Sequence, residues 1–110
     1  MEIRPYSIQD YPLLDVFEIL PEDRKFTRTP IHNIDLAKGD DERHPTLVMR
    51  DNQCVGFFTL HEGRGVKPYS DNNKAIFFRS FSVDARYRGQ GLGKAVIQQL
   101  PSYIKSTFPY

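Results

Sequence analysis

Apolar positions change period along this chain, and each change marks an element. "EIRPY" at 2–6 alternates as a short strand does, and Pro5 suits a sheet edge because it has no amide to donate. Leu13, Phe17 and Leu20 then recur at helical spacing, with Leu14 and Val16 widening the stripe. Ser7 and Asp10 are both candidate caps. Asp10 fits better, since it puts Pro12 in the first turn, where no amide is missed. A helix is expected from there through Leu20. Residues 21–45 are polar, but "RTPIHNIDLAKG" places Thr29 as N-cap, Pro30 at the first helical position and Gly39 past the end. A short helix is expected there, and "DDERHP" at 40–45 reads as a solvated connector.

"TLVMR" and "QCVGFFTL" flank Asp51-Asn52, a two-residue hairpin signal. The second of these strands is apolar almost throughout, as a central strand covered on both faces is. After the polar loop "HEGRGVKPYSDNNK", "AIFFRSFSV" at 75–83 is another strand, apolar on both faces except at Arg79. Leu92, Val96, Leu100 and Ile104 follow every four residues, so residues 91–107 form a helix that contains Pro101. The order is β-α-α-β-β-β-α. It predicts an α/β domain over residues 1–110, a sheet with helices packed on its faces.

Composition changes this picture only by exclusion. Fifteen basic residues against 14 acidic ones leave a net charge of +1, which is not the footprint of a dedicated nucleic-acid binder. The lone Cys54 rules out an internal disulfide and fits a reducing compartment. "MEIRPYSIQD" lacks the apolar core of a signal peptide, and no apolar run approaches the ~20 residues that span a bilayer. A cytoplasmic protein bound to neither membrane nor nucleic acid is expected.

The candidate chemistry sits in "YRGQGLGKA", 87–95, between the last strand and the last helix. Amides at a helix N-terminus lack intrahelical partners, the macrodipole is positive there, and glycine lets an anion touch the backbone. Three cations, Arg86, Arg88 and Lys94, stand against one anion, Asp84. Three familiar glycine loops fail. A P-loop, G-x-x-x-x-G-K-S/T, would need glycine where Arg88 stands and a hydroxyl where Ala95 stands. The dinucleotide pattern G-x-G-x-x-G from Gly89 meets Lys94, and it belongs in a first βαβ unit. A kinase loop fails by the same spacing.

What matches is R-x-x-G-x-G: Arg88, Gly91 and Gly93, preceded by "SFSVDARY". This resembles the coenzyme A loop of the GNAT superfamily of N-acetyltransferases, whose signature Q/R-x-x-G-x-G/A lies between the fourth strand and the third helix. "IRPYSIQDYPLL" looks like the family's opening strand and helix, and "CVGFFTL" like its third strand. The resemblance implies a GNAT-like mixed, mostly antiparallel sheet with helices on both faces, truncated here before the fifth strand. It implies acetyl-CoA as co-substrate, no metal, and acetyl transfer to a primary amine by direct attack on the thioester. The amides of Arg88, Gly89, Gln90, Gly91, Leu92, Gly93 and Lys94 would hold the pyrophosphate. Backbone groups of Phe81, Ser82 and Val83 would hold the acetyl and pantetheine end, as an added strand would be held. The acceptor would be a small-molecule or peptide amine.

The family's fifth strand and fourth helix, where its thiolate-protonating tyrosine often lies, follow the point at which this sequence stops. A homo-oligomer or a completing chain is therefore expected at the open sheet edge. The contrasting reading is a non-catalytic module that binds coenzyme A, an acyl-CoA or a partner protein. No catalytic residue stands out. His61, Glu62 and Asp71 flank the loop before the fourth strand, but solvation is the commoner fate of such groups. His32, His44 and His61 lack metal-ligand spacing with each other or with Cys54, which predicts solvated imidazoles. Cys54 reads as a buried structural thiol. Phe57-Phe58 and Phe77-Phe78 read as core pairs, and "PEDRKFTRTP", with its Phe26, as either an acceptor wall or a connector.

Overall fold

In a computed structural model, which describes residues 1–19, 29–40, 42–62 and 76–108, Asp51 and Asn52 turn the chain with φ of 52° and 65°. Left-handed values at both central residues match the right-handed twist of the strands they join. The hairpin so closed pairs β2 (Arg43–Arg50) with β3 (Gln53–Glu62). With β1 (Glu2–Pro5) and β4 (Ile76–Val83) they form one sheet in the order β1-β2-β3-β4, every pairing antiparallel. Pro5 lies on the edge strand, as expected. The expected connector at 40–45 is shorter than read: Arg43, His44 and Pro45 pair with His61, Leu60 and Thr59 and belong to β2.

The two sheet faces carry two cores. Leu14 of α1 (Tyr11–Asp15) and Ile34 of α2 (Pro30–Ala37) pack on Leu47, Met49 and Phe57. Leu92 and Val96 of α3 (Leu92–Thr107) pack on Val48, Val55, Phe58 and Leu60. Adjacent Phe57 and Phe58 are both fully buried, one on each face. Each such side chain contributes roughly 1.5–3 kcal/mol relative to exposure. The order of elements and the helices on both faces match the expectation. Thr29 Oγ1 accepts the His32 amide at 3.2 Å, so the α2 cap is also as read.

Two local expectations are corrected. Asp10 precedes α1, but its side chain turns back to accept the Ser7 amide at 2.9 Å and the Arg4 guanidinium at 2.7 Å. The helix itself stops at Asp15 instead of running on toward Leu20. Leu20, Phe26 and Asp71 lie outside the described residues.

Cys54 is buried as expected, its thiol donating to the Gly56 carbonyl at 3.3 Å. Burial pushes the thiol up to about 12, so little thiolate exists at neutral pH. We expect native protein to resist a thiol-specific reagent over hours and to react in urea. Stoichiometric labelling of the folded protein within minutes would contradict this placement.

Candidate functional site

Between Phe57 and Thr59 of β3, the partner residues on β4 move from Ser82 to Arg79, three steps against two. One extra β4 residue is accommodated there as a bulge, and Ser80 takes φ 59°, a left-handed value uncommon outside glycine. In a regular strand Phe78 and Phe81 would face opposite sides. The bulge puts both on the α3 side, with ring centroids 5.5 Å apart and both against Phe58. Phe81 thereby sits under the start of α3, its ring 3.6 Å from where a Gly93 Cβ would stand.

Beyond β4, Asp84 is fully buried and anchors the chain for the next turn. Its carboxylate accepts the Arg86 amide at 2.9 Å, the Arg86 guanidinium at 2.8 and 3.0 Å, and the Glu18 amide at 3.1 Å. Burial alone would raise the Asp84 carboxyl, but these bonds outweigh it and hold the carboxyl below its usual range. The Asp84 amide donates to Val55 and the Ala85 amide to Glu18, at 2.9 and 2.8 Å. The segment after α1 is thus fastened to the end of β4.

The chain then turns through Gly89 (φ 81°) and Gly91 (φ 74°), both left-handed, and enters α3. A side chain at either position would meet nothing within 4 Å, so glycine is required by the backbone angle and not by crowding. Ala95 donates to the Gly91 carbonyl at 3.1 Å, the first bond of the helix. The amides of Leu92, Gly93 and Lys94 precede that bond and have no carbonyl one turn back within the helix.

A cleft of about 350 Å³ opens where these pieces meet. Phe81, Ser82 and Val83 form its strand wall; Tyr87, Arg88 and Gly89 its turn wall; and Gly91, Leu92 and Gly93 its helix wall. Ser82 is buried, and its Oγ has no hydrogen-bond partner among the described residues. Eight of the ten residues expected from the sequence therefore share one cavity. Gln90 and Lys94 are exposed and do not line it, and the Gln90 side chain is engaged by Arg50. Asp84 and Arg86 neutralise each other, so Arg86 adds little net charge to the turn.

Sequence reading missed two wall residues. Tyr87 donates its hydroxyl to Gln53, and its ring lies 5.6 and 5.7 Å from the Arg50 and Arg86 guanidiniums. A tyrosine next to a glycine-rich turn was the available signal. Ile19 arrives from the segment fastened by Asp84, which no local pattern announces. Elsewhere, His44 is held by Glu62 at 2.7 Å rather than solvated. His61 is not solvated either: only 3% is exposed. Burial, then Arg43 and Arg79, push its imidazole below the usual range, with Asp40 and Glu42 pulling the other way.

An antiparallel sheet, a bulged last strand and a glycine turn opening a helix around one cleft define an α/β domain of the acetyltransferase type. The chain belongs to the acetyltransferase (GNAT) family, whose model matches residues 9–107. It is 31% identical over 106 residues to an uncharacterized N-acetyltransferase, YbbJ, of Bacillus subtilis (strain 168). That match covers 96% of this chain and 66% of the relative, so the chain spans just under two thirds of the relative's length. A GNAT family acetyltransferase of Staphylococcus aureus superposes with a TM-score of 0.63 at 18% identity, covering 96% of this chain and 78% of that one. A predicted acetyltransferase of Clostridium acetobutylicum, solved with acetyl-CoA, gives 0.50 at 12% identity, covering 96% and 73%. No helix among the described residues is long and apolar enough to cross a membrane.

Proposed function

We propose that this chain binds acetyl-CoA in the cleft and serves acetyl transfer to a primary amine, on a small molecule or a peptide, by direct attack on the thioester. One observation carries the reading: the helix-start amides of α3 and the outer strand β4 face the same cavity, which suits a ligand with an anionic end and an extended amide arm. Membership of the GNAT family and the acetyl-CoA in the Clostridium structure support this choice of ligand.

The residues present fit such a group. Gly89 and Gly91 leave the turn open on the side where a Cβ would stand, and Ser82 Oγ is a buried polar atom with no partner among the described residues. Amides along 88–94 hold the pyrophosphate, those of Arg88, Gly89, Gly91, Leu92 and Gly93 from the cleft wall, at roughly 1.5–3 kcal/mol per charge-assisted bond. Backbone groups of Phe81, Ser82 and Val83 pair with the extended arm and aim its acyl end. Acetyl-CoA supplies the acyl thioester that the amine attacks. None of the described cleft-lining residues is a carboxylate or an imidazole, so proton removal is assigned to no side chain.

Among the described residues β4 pairs with β3 alone, which leaves its outer edge for a completing chain or a second copy. The reading includes a cytoplasmic location, in keeping with the unpaired Cys54. The test is free-thiol release from acetyl-CoA with a panel of amines. Amine-dependent release supports the transferase. Saturable binding with no turnover for any amine, by protein that includes whatever completes β4, would instead favour a coenzyme A-binding module.

A further inference from the structure

Far along the sheet from the cleft, the connection after α2 brings two carboxylates to a buried imidazole. Asp40, Glu42 and His61 each offer one ligand atom, and the three atoms lie within 4.8 Å of one another. His61 is 97% shielded from solvent, since only 3% of it is exposed, yet neither ring nitrogen has a hydrogen-bond partner among the described residues. Its Nε2 points at Asp40 Oδ2 from 3.7 Å, too far for a hydrogen bond. Leaving such a group unsatisfied costs on the order of 1–3 kcal/mol. A buried nitrogen without a partner among the described residues, aimed at a carboxylate, has the geometry of a ligand atom.

We propose that His61, Asp40 and Glu42 form a binding site for a divalent transition metal of the zinc class. One imidazole nitrogen and two carboxylate oxygens are a donor set for such ions, with a fourth position left for water. The hard cations magnesium and calcium select all-oxygen sites and are disfavoured by the imidazole. Ligands about 2.0–2.2 Å from a tetrahedral ion stand roughly 3.4 Å apart, so a set whose atoms lie within 4.8 Å closes by at most about 1.4 Å on binding. The side chains that must move are the partly exposed Asp40 and Glu42, while His61 is fixed on β3. Asp40 Oδ2 also accepts Arg43 Nε at 3.2 Å, and the ion would displace that contact.

The site would tie the α2–β2 connection to the end of β3, beside the existing bond from the Glu62 amide to the Glu42 carbonyl. Chain spacing gave no hint of it. The ligands are 19 or more positions apart except for Asp40 and Glu42, and β2–β3 pairing alone brings them together.

The test uses tag-free protein stripped with chelator, titrated with Zn²⁺ by calorimetry and with Co²⁺ by visible absorption. We expect one ion per chain, a higher Tm with Zn²⁺, and the d–d bands of a low-symmetry nitrogen/oxygen site with Co²⁺. His61→Asn should weaken binding on the order of tenfold or more. Because a buried substitution can unfold the protein, Asp40→Asn and Glu42→Gln serve as the second pair of variants and should each do the same. No binding by folded wild-type protein, or binding unchanged in the Asp40 and Glu42 variants, would overturn the site.

Discussion

Gly91→Asp is expected to lower acetyl-CoA affinity at least 100-fold, about 2.7 kcal/mol, in a protein that still folds. Both halves follow from the backbone. At φ 74° an L-residue costs about 1–2 kcal/mol, and nothing within 4 Å obstructs a Cβ. That is a minor part of the roughly 5–15 kcal/mol that stabilises a small domain. In the proposed complex, however, the new carboxylate would stand among the amides assigned to the pyrophosphate and would repel it. Gly91→Ala separates the two effects: the same strain, no charge, and a smaller loss of affinity. Gly93→Ala is the contrast, because its φ is not left-handed and its Cβ would meet the Phe81 ring at an ordinary 3.6 Å. Calorimetry on the three variants, with circular dichroism to check the fold, reads the series. Full affinity in Gly91→Asp would mean that the anion is held elsewhere.

Asp84→Ala is expected to cost about 3 kcal/mol of stability, the low end for one partner of a buried ion pair, since Arg86 is itself about half exposed. The loss strands the Glu18 and Arg86 amides and frees the segment that carries Ile19 into the cleft. Acid should do the same more gradually. The Asp84 carboxyl titrates below its usual range in the fold, so its contribution is complete above about pH 4. The contribution is lost as the pH falls through the folded-state value. Urea unfolding across pH should therefore show an acid-side decline that is shallower in Asp84→Asn. An identical decline in both proteins would assign the acid sensitivity to other carboxylates.

Those two sites differ in how far they could be read from the chain. The turn at 88–94 is written locally: glycines at left-handed positions, a strand before and an apolar stripe after. The strands and the Asp51-Asn52 hairpin were legible for the same reason, since periodicity and turn chemistry act over a few residues. The first helix was not. Its stripe of Leu13, Phe17 and Leu20 favours continuation, but the Glu18 amide and carbonyl are taken by Asp84 and Ala85. A competitor 66 positions away ends the helix, and no window sees it. The β4 bulge has the same character: "FFRSFSV" reads as an unbroken strand until β3 fixes the register. His61 was misread for a simpler reason. The expected strand ends at Leu60 and leaves His61 to the polar loop, whereas β3 runs on to Glu62 and buries His61 at period two with Phe57 and Thr59.

Amide NMR of the labelled protein during an acetyl-CoA titration decides whether the cleft binds acetyl-CoA, because it locates the ligand as well as detecting it. Saturable shifts are expected, largest at Gly89 through Lys94 and at Phe81 through Val83, with the other end of the sheet, around His61, unmoved. A folded protein whose cleft resonances stay in place, or whose shifts concentrate away from the turn and β4, would contradict binding there.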